Sequence, residues 1–356
     1  MQPAIISSPS RWRRFPGAAG RSPDDGQLRR SHVAEHDHCR GECAALAPRG
    51  DLTTDVMHDP EPVARVVAAY LDAVDRAATG LVEGLYLTGS AALGDFRPRT
   101  SDLDFVAVTA QPLGTSACSA LARAHKQLRV HVRRPLFDGM YVTWDDLARA
   151  SSLRRGPNVQ DGRFRASANG PGDPVTWHTV ARHGVACRGP EPASLTVWAD
   201  ASELAAWTLD NLDRYWLRLL YRASRPGDRW GVLSHLAWGA MWMVLGVSRL
   251  HYTLATGGIC SKTSAGTYAL GTFPDRWHRV VSESLRIRRD DRAGTGAASA
   301  CLEAVDWLRM RSGSLYATPR ERRHDVLAFA EMVIADATSR GQSRPSRSAI
   351  VRPTPE

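Results

Sequence analysis

The 356-residue chain contains no run of about 18 apolar residues, and this excludes a membrane-spanning helix of ordinary length. Met1 to Ile6 and the charges of Arg11, Arg13 and Arg14 are not followed by an apolar stretch, so no secretory signal is read and a cytoplasmic protein is expected. Cysteines are few and unpatterned: Cys39, Cys43, Cys118, Cys187, Cys260 and Cys301 share no framework spacing, and reduced thiols are expected. The one tight cluster, His36, His38, Cys39 and Cys43, has no second half-site, and zinc is not expected there. No internal repeat occurs, which excludes a solenoid. The length suits two modest domains with flanking sequence.

Net charge is +9. The first 56 residues carry +1 and the last 19 carry +3, leaving +5 on the body. That excess suits a polyanionic ligand such as a nucleotide, and it equally suits a solvated basic surface.

Residues 1–56 lack sustained periodicity and are rich in Pro, Gly, Ser and Arg, so a disordered extension is expected, with Met57 as an alternative start. The tail, 339–356, has the same texture. Between them, Val63, Val66, Val67, Tyr70, Leu71 and Val74 mark an amphipathic helix over Pro60 to Ala78. Leu81 to Thr88 and Asp102 to Thr109 read as strands, Leu113 to Val130 as helix and Leu136 to Thr143 as a third strand. Arg154 to Pro174 reads as a Gly/Arg/Pro-rich loop. Beyond it the pattern is helical: Trp177 to His183, Ala199 to Tyr221, Trp230 to Ala255, Lys262 to Leu270, Ala297 to Arg311 and Pro319 to Thr338. The expected fold is α+β: a small mixed sheet with helices, followed by an all-α helical bundle, with the boundary near residue 190.

The chemistry concentrates in Leu85-Tyr86-Leu87-Thr88-Gly89-Ser90 and, eleven residues on, Asp102-Leu103-Asp104-Phe105. A glycine after a strand lets backbone N–H groups approach an anion, and the Ser90 hydroxyl adds a hydrogen bond. Residues two apart on a strand share a face, so Asp102 and Asp104 project together while Leu103 and Phe105 face the core. Paired carboxylates repel unless a cation lies between them, and carboxylate plus phosphate oxygens are the ligands Mg²⁺ prefers. Asp-x-Asp alone is commonly a solvated pair and Gly-Ser alone a turn. Their succession on two strands with apolar flanks in phase is what points to triphosphate chemistry.

Those motifs resemble the nucleotidyltransferase superfamily that includes DNA polymerase beta. The stretches Thr179 to Pro190 and Leu245 to Lys262 are similar to the second-half pattern of its aminoglycoside adenylyltransferases, which modify streptomycin and spectinomycin. The resemblance runs from about Pro60 to Arg311. It implies a nucleotidyltransferase domain at 57–190 and a helical substrate-binding domain at 191–338, with ATP as co-substrate and two Mg²⁺ ions between Asp102, Asp104 and a third carboxylate. That carboxylate is the general base on the next strand. Asp138 is the candidate, although the well-studied streptomycin enzymes use Glu and a turn role before Gly139 is the competing reading. Asp145 and Asp146 are rivals that a helix start at Thr143 also explains.

From the helical half, Lys262 is the expected phosphate contact, as the matching lysine of the family implies, with Ser261 capping its helix. Arg249 is either a second cation or the partner of a neighbouring carboxylate. A cationic acceptor is expected against acids and aromatic faces, for which Asp210, Asp213, Asp228, Trp238 and Trp242 are the candidates, each also explicable by packing or solvation. Trp177-His178 reads as packing.

The implied reaction transfers AMP from ATP to a hydroxyl of an aminoglycoside-type antibiotic, releases pyrophosphate and confers antibiotic resistance. Two rivals are a nucleotidyltransferase acting on protein, RNA or another metabolite, and a nucleotide-binding regulator without turnover. The expected partners are ATP and a small hydroxylated cationic acceptor. No membrane and no nucleic acid is expected, and the chain is read as a monomer.

Overall fold

A computed structural model describes residues 61–151, 156–168, 173–290 and 313–342. The expectations for 1–56, for the His36, His38, Cys39 and Cys43 cluster, for the 297–311 helix and for the tail beyond Gln342 lie outside the described residues.

Helix α1 (Glu61–Ala77) buries Val63, Val66, Tyr70, Ala73 and Val74, the three-and-four spacing of one helical face. Strand β1 (Gly84–Leu87) leads into the short helix α2 (Gly89–Ala92), then β2 (Leu103–Thr109), α3 (Thr115–His131) and β3 (Phe137–Thr143). Next come α4 (Trp144–Leu147), the hairpin β4 (Gly156–Gln160) and β5 (Arg163–Ala168), α5 (Pro174–His183) and β6 (Val185–Arg188). The six strands form one sheet in the order β5-β4-β3-β2-β1-β6. Only β2 and β3 run parallel; the other neighbours are antiparallel.

The period-two alternation divides the sheet's cargo. Leu103, Phe105 and Ala107 point to the core formed with α1 and α3, and Val106 and Val108 point to the opposite core with Tyr86, Met140, Val142 and Trp177. Asp104 and Asp138 share the parity of this second face, at the ends of β2 and β3 where its apolar filling stops.

Helix α6 (Ala201–Asn211) continues through a π-turn (Leu212–Leu217) into α7 (Arg218–Ser224). Helices α8 (Arg229–Leu233), α9 (Ala237–Thr256), α10 (Lys262–Thr272), α11 (His278–Arg289) and α12 (Pro319–Gln342) follow. Helix α9 is apolar on nearly every side and forms the axis of the helical core, because its neighbours leave it no solvent-facing stripe. No described helix is long and apolar enough to cross a membrane. The described cysteines, Cys118, Cys187 and Cys260, are free thiols.

The structure departs from the sequence reading at β6 (Val185–Arg188), which falls in the stretch read as helical, and in three further places. The expected helix from Trp230 to Ala255 is broken between Leu233 and Ala237: the Ser234 hydroxyl takes the Gly231 carbonyl at 2.7 Å, and a Cβ on Gly239 would lie 2.1 Å from the Leu233 carbonyl oxygen. The expected loop of Arg154 to Pro174 contains the β4–β5 hairpin. Helix α11 went unread because Arg279, Arg286, Arg288 and Arg289 obscure its stripe of Val280, Val281 and Ile287. It tolerates these charges because two of its buried groups are paired, Glu283 with Arg286 at 2.8 Å and Arg288 with Asp95 at 3.1 Å.

Candidate active site

Thr88 follows β1, and its N–H donates to the Asp104 carbonyl at 2.9 Å and so ties the turn to β2. Gly89 then takes φ +57, and a Cβ there would sit 2.0 Å from Asp104 Oδ2. Only glycine satisfies both conditions, since other residues resist the left-handed region and none lacks a Cβ. The chain reverses beside the Asp104 carboxylate and presents Ser90 in the first turn of α2.

Asp104 and Asp138 are register partners across the parallel β2–β3 pair. Asp138 is the second residue of β3, a strand position rather than the turn that the competing reading required. Its carboxylate accepts the Gly162 N–H at 2.6 Å and the Asp161 N–H at 2.9 Å, both from the tip of the β4–β5 hairpin. Asp161 and Gly162 both have positive φ, 54° and 65°, as a tight Asp-Gly hairpin turn requires. Asp102 lies just before β2, and its Oδ1 is buried without a hydrogen-bond partner, 4.0 Å from an Arg134 guanidinium nitrogen.

Three acids gathered with little solvent hold protons tightly. Burial is the largest cause for each, raising Asp102 to about 6, Asp138 to about 7 and Asp104 to about 8. For Asp104 the next causes are the like charges of Asp102 and Asp138, with Lys262 and Arg249 opposing. A cation among the carboxylates would oppose these shifts by stabilising the charged forms.

The residues fit magnesium. Asp102 contributes an orphaned buried oxygen, and the missing Cβ of Gly89 lets the Asp104 carboxylate lie against the turn. Among the described residues no group of three or more acidic, histidine or cysteine side chains closes into a protein-only metal cage. Magnesium seldom uses one; it takes one or two carboxylates and fills its octahedron with water and phosphate.

The helical half supplies the opposite sign. Ser261 caps α10, its hydroxyl accepting the Ser264 N–H at 3.1 Å, so Lys262 opens that helix. Burial and then the charges of Arg288 and Arg249 push the Lys262 ammonium down to about 7, while Asp95 and Asp104 support it. Arg249 donates to the Cys260 carbonyl at 3.0 Å, and burial lowers it from the usual arginine range. Both cations act on Asp104 across the junction of the sheet and the bundle.

Other sequence candidates have partners within the fold. Trp238 and Trp242 stack in the helical core with ring centroids 5.6 Å apart. Asp228 caps α8 through the Trp230 N–H at 2.8 Å and pairs with Arg222 at 3.0 Å. Asp210 pairs with Arg214 at 2.6 Å, and Asp213 is exposed on the π-turn. Asp146 and Thr143 form a reciprocal capping box, and Asp145 pairs with Arg149 at 3.6 Å, which accounts for both rivals of Asp138. Trp177 is fully buried, and the His178 ring lies 3.1 Å from the Asp200 carbonyl oxygen.

Two contributions were not read from the sequence. One is the hairpin tip on Asp138, whose signal was the Asp161-Gly162 dipeptide. The other is Asp95, which is buried between the sheet and the bundle.

This sheet, with its Gly-Ser turn and acids on adjacent strands, followed by a helical half, is a nucleotidyltransferase fold. Residues 227–307 match the family model described as the C-terminal domain of aminoglycoside adenylyltransferase. No curated protein matches the chain in sequence. Among nine matching solved chains is the spectinomycin adenyltransferase AAD(9) of Enterococcus faecialis, crystallised with ATP and spectinomycin. It aligns at a TM-score of 0.51 and 12% identity, over 79% of this chain and 99% of that one. Residues 227–307 of the helical half are thus similar to that C-terminal domain, and the fold is similar to that of the spectinomycin enzyme along nearly that enzyme's full length.

Proposed function

We propose that the protein transfers the AMP moiety of ATP to a hydroxyl of an aminoglycoside-type acceptor, with pyrophosphate as the leaving group. The observation that carries this reading is the meeting of opposite charges at one turn. Asp104 and Asp138 are partners across parallel strands, Gly89 lies against the Asp104 carboxylate, and the charges of Lys262 and Arg249 in the helical half favour the ionised form of Asp104.

Asp102 and Asp104 are the residues that would hold Mg²⁺, which when bound would supply neutralisation of phosphate charge, with Asp138 beside them. Gly89 and Ser90 bring backbone N–H groups and a hydroxyl to the triphosphate. Asp138, held in orientation by the Asp161 and Gly162 amides, keeps a lone pair to accept the proton of the attacking hydroxyl. Lys262 and Arg249 receive the negative charge that builds on the departing pyrophosphate. Asp213, exposed on the π-turn, is the acid among the sequence candidates that we propose for contact with the acceptor. The similarity of residues 227–307 to the aminoglycoside adenylyltransferase C-terminal domain supports an acceptor of that class.

The test is pyrophosphate release by purified protein with Mg-ATP and streptomycin, spectinomycin or kanamycin, with Asp102→Ala as control. Release with at least one of them, absent from the control, is expected. Tight Mg-ATP binding without release to any aminoglycoside would remove the acceptor assignment and keep the nucleotide site.

A further inference from the structure

Asp95 follows the Gly-Ser turn and its carboxylate reaches α10 and α11 of the bundle. Its N–H donates to the Ser90 carbonyl at 2.9 Å, so it closes the turn that begins at Gly89. Its carboxylate accepts the Thr263 hydroxyl at 2.7 Å and the Thr263 N–H at 3.2 Å, in the first turn of α10 directly after Lys262. The same carboxylate takes Arg288 Nη2 at 3.1 Å, and that nitrogen also donates to the Asp95 carbonyl at 2.8 Å. Arg97 stands 3.6 Å away on the other side. One side chain therefore fastens the phosphate turn of the sheet to the helix that carries the phosphate lysine.

Its charge matters as much as its reach. Burial and then the charges of Arg288 and Arg249 lower Lys262, and burial with Arg288 lowers Arg249, so Arg288 works against both cations. Asp95 is 9% exposed and Arg288 5%, so their attraction is little screened by water. By engaging Arg288, Asp95 offsets one positive charge and leaves Lys262 and Arg249 for the ligand. Burial works against the Asp95 charge, but Arg288 and the two Thr263 donors outweigh it, and its carboxyl stays below the usual range.

Resting on the proposed triphosphate site, we infer that Asp95 is a positioning residue. It holds Gly89-Ser90 and Lys262 at one fixed separation, so that the two halves of the protein grip a single triphosphate chain. It touches no reacting atom; its effect reaches the nucleotide through Ser90 and through the α10 N-terminus. The ligand class that feels it is the polyphosphate. The adenosine moiety should be indifferent to it.

The experiment compares wild type, Asp95→Asn and Thr263→Val by calorimetric titration with Mg-ATP and with Mg-tripolyphosphate, alongside thermal melting of each protein. Asp95→Asn keeps the shape and loses the charge, whereas Thr263→Val removes one strand of the same link without touching a charge. The expected result is a loss of Mg-ATP affinity of about tenfold or more in Asp95→Asn and a smaller loss in Thr263→Val. Tripolyphosphate should show the same ratios, and the double variant should fall short of the product of the singles. If both variants melt lower yet bind Mg-ATP as wild type does, Asp95 is a strut of the fold and the inference is overturned. If Asp95→Asn does not fold, an unchanged affinity of Thr263→Val for both ligands overturns it equally. Wild type that binds neither ligand would remove the triphosphate site itself and this inference with it, an outcome distinct from variants that bind normally.

Discussion

Asp104 on β2 and Asp138 on β3 are paired residue to residue across the only parallel strands in the sheet. In a parallel pair, partners on adjacent strands point to the same face, so the register that packs Phe105 against Phe137, centroids 4.3 Å apart, also fixes the spacing of the two acids. A one-residue slip would carry every side chain of the strand to the opposite face. The aromatic core thus sets the geometry of the charged site on the other side of the sheet.

Asp104→Asn is expected to lower adenylyl transfer by at least about two orders of magnitude, because it removes a charge at the centre of the proposed metal and phosphate site. Stability should move the other way. The wild-type carboxylate is disfavoured by burial and by two like neighbours, so the neutral amide is expected to melt at the same or a higher temperature near pH 7. Turnover retained by Asp104→Asn would sink the metal assignment; a folded, inactive protein with unchanged or raised melting temperature supports it.

Gly89→Ala has two costs that can be read separately. The positive φ of 57° costs any L-residue about 1 to 2 kcal/mol, and the added methyl would meet Asp104 Oδ2 at 2.0 Å. The carboxylate must move, so the expected phenotype is loss of activity out of proportion to loss of stability. Denaturant unfolding together with pyrophosphate release checks this. An active but destabilised variant would mean that only the turn, and not the carboxylate beside it, needs glycine.

The Gly-Ser turn, Asp102, Asp104 and the first three strands could be read from the sequence because they combine short-range signals: a period-two apolar pattern, a glycine at a strand end and acids two apart. The β4–β5 hairpin was hidden because Arg163 and Arg165 occupy its alternating outward positions, and only the Asp161-Gly162 turn announced it. Helix α11 was hidden for a related reason, since its charges are neutralised by partners distant in sequence, Arg288 by Asp95 and Glu283 in part by Arg322 at 3.7 Å. Asp95 followed no pattern at all: its role exists only where the sheet and the bundle meet, and spacing along one element cannot express that.

Lys262 is one of two lysines, with Lys126, in a chain whose basic residues are otherwise arginine, and composition alone would favour arginine at this position. An ammonium is a compact point charge that fits a crowded cation cluster, whereas a guanidinium is a wide planar fork. Lys262→Met is expected to raise the KM for ATP and lower kcat/KM by about ten- to a hundredfold, with Lys262→Arg recovering only part of the loss. Steady-state kinetics at varied ATP measure it. Full recovery by arginine would show that charge alone is needed there.

His125 offers a pH test away from the active site. It is buried in an aromatic cage, stacked on Phe105 with centroids 5.9 Å apart, and burial holds its pKa down to about 3. In the unfolded chain histidine titrates near about 6.5, so below that pH the unfolded state binds the proton that the folded state refuses. The stability from this group is complete above about pH 6.5 and is lost as pH falls toward 3, by about 2 kcal/mol between pH 7 and pH 5. Asp102, Asp104 and Asp138 act in the opposite sense over the same range, since their folded pKa values are raised, so the whole-protein slope does not isolate His125. The difference between wild type and His125→Phe does, because phenylalanine cannot titrate and the lost 2.8 Å contact between the His125 ring and the Tyr141 hydroxyl is a constant that cancels between the two pH values. Urea unfolding of both proteins at pH 7 and pH 5 is expected to show wild type losing about 2 kcal/mol more than the variant on acidification. Equal losses would mean that His125 accepts a proton in place, within its cage.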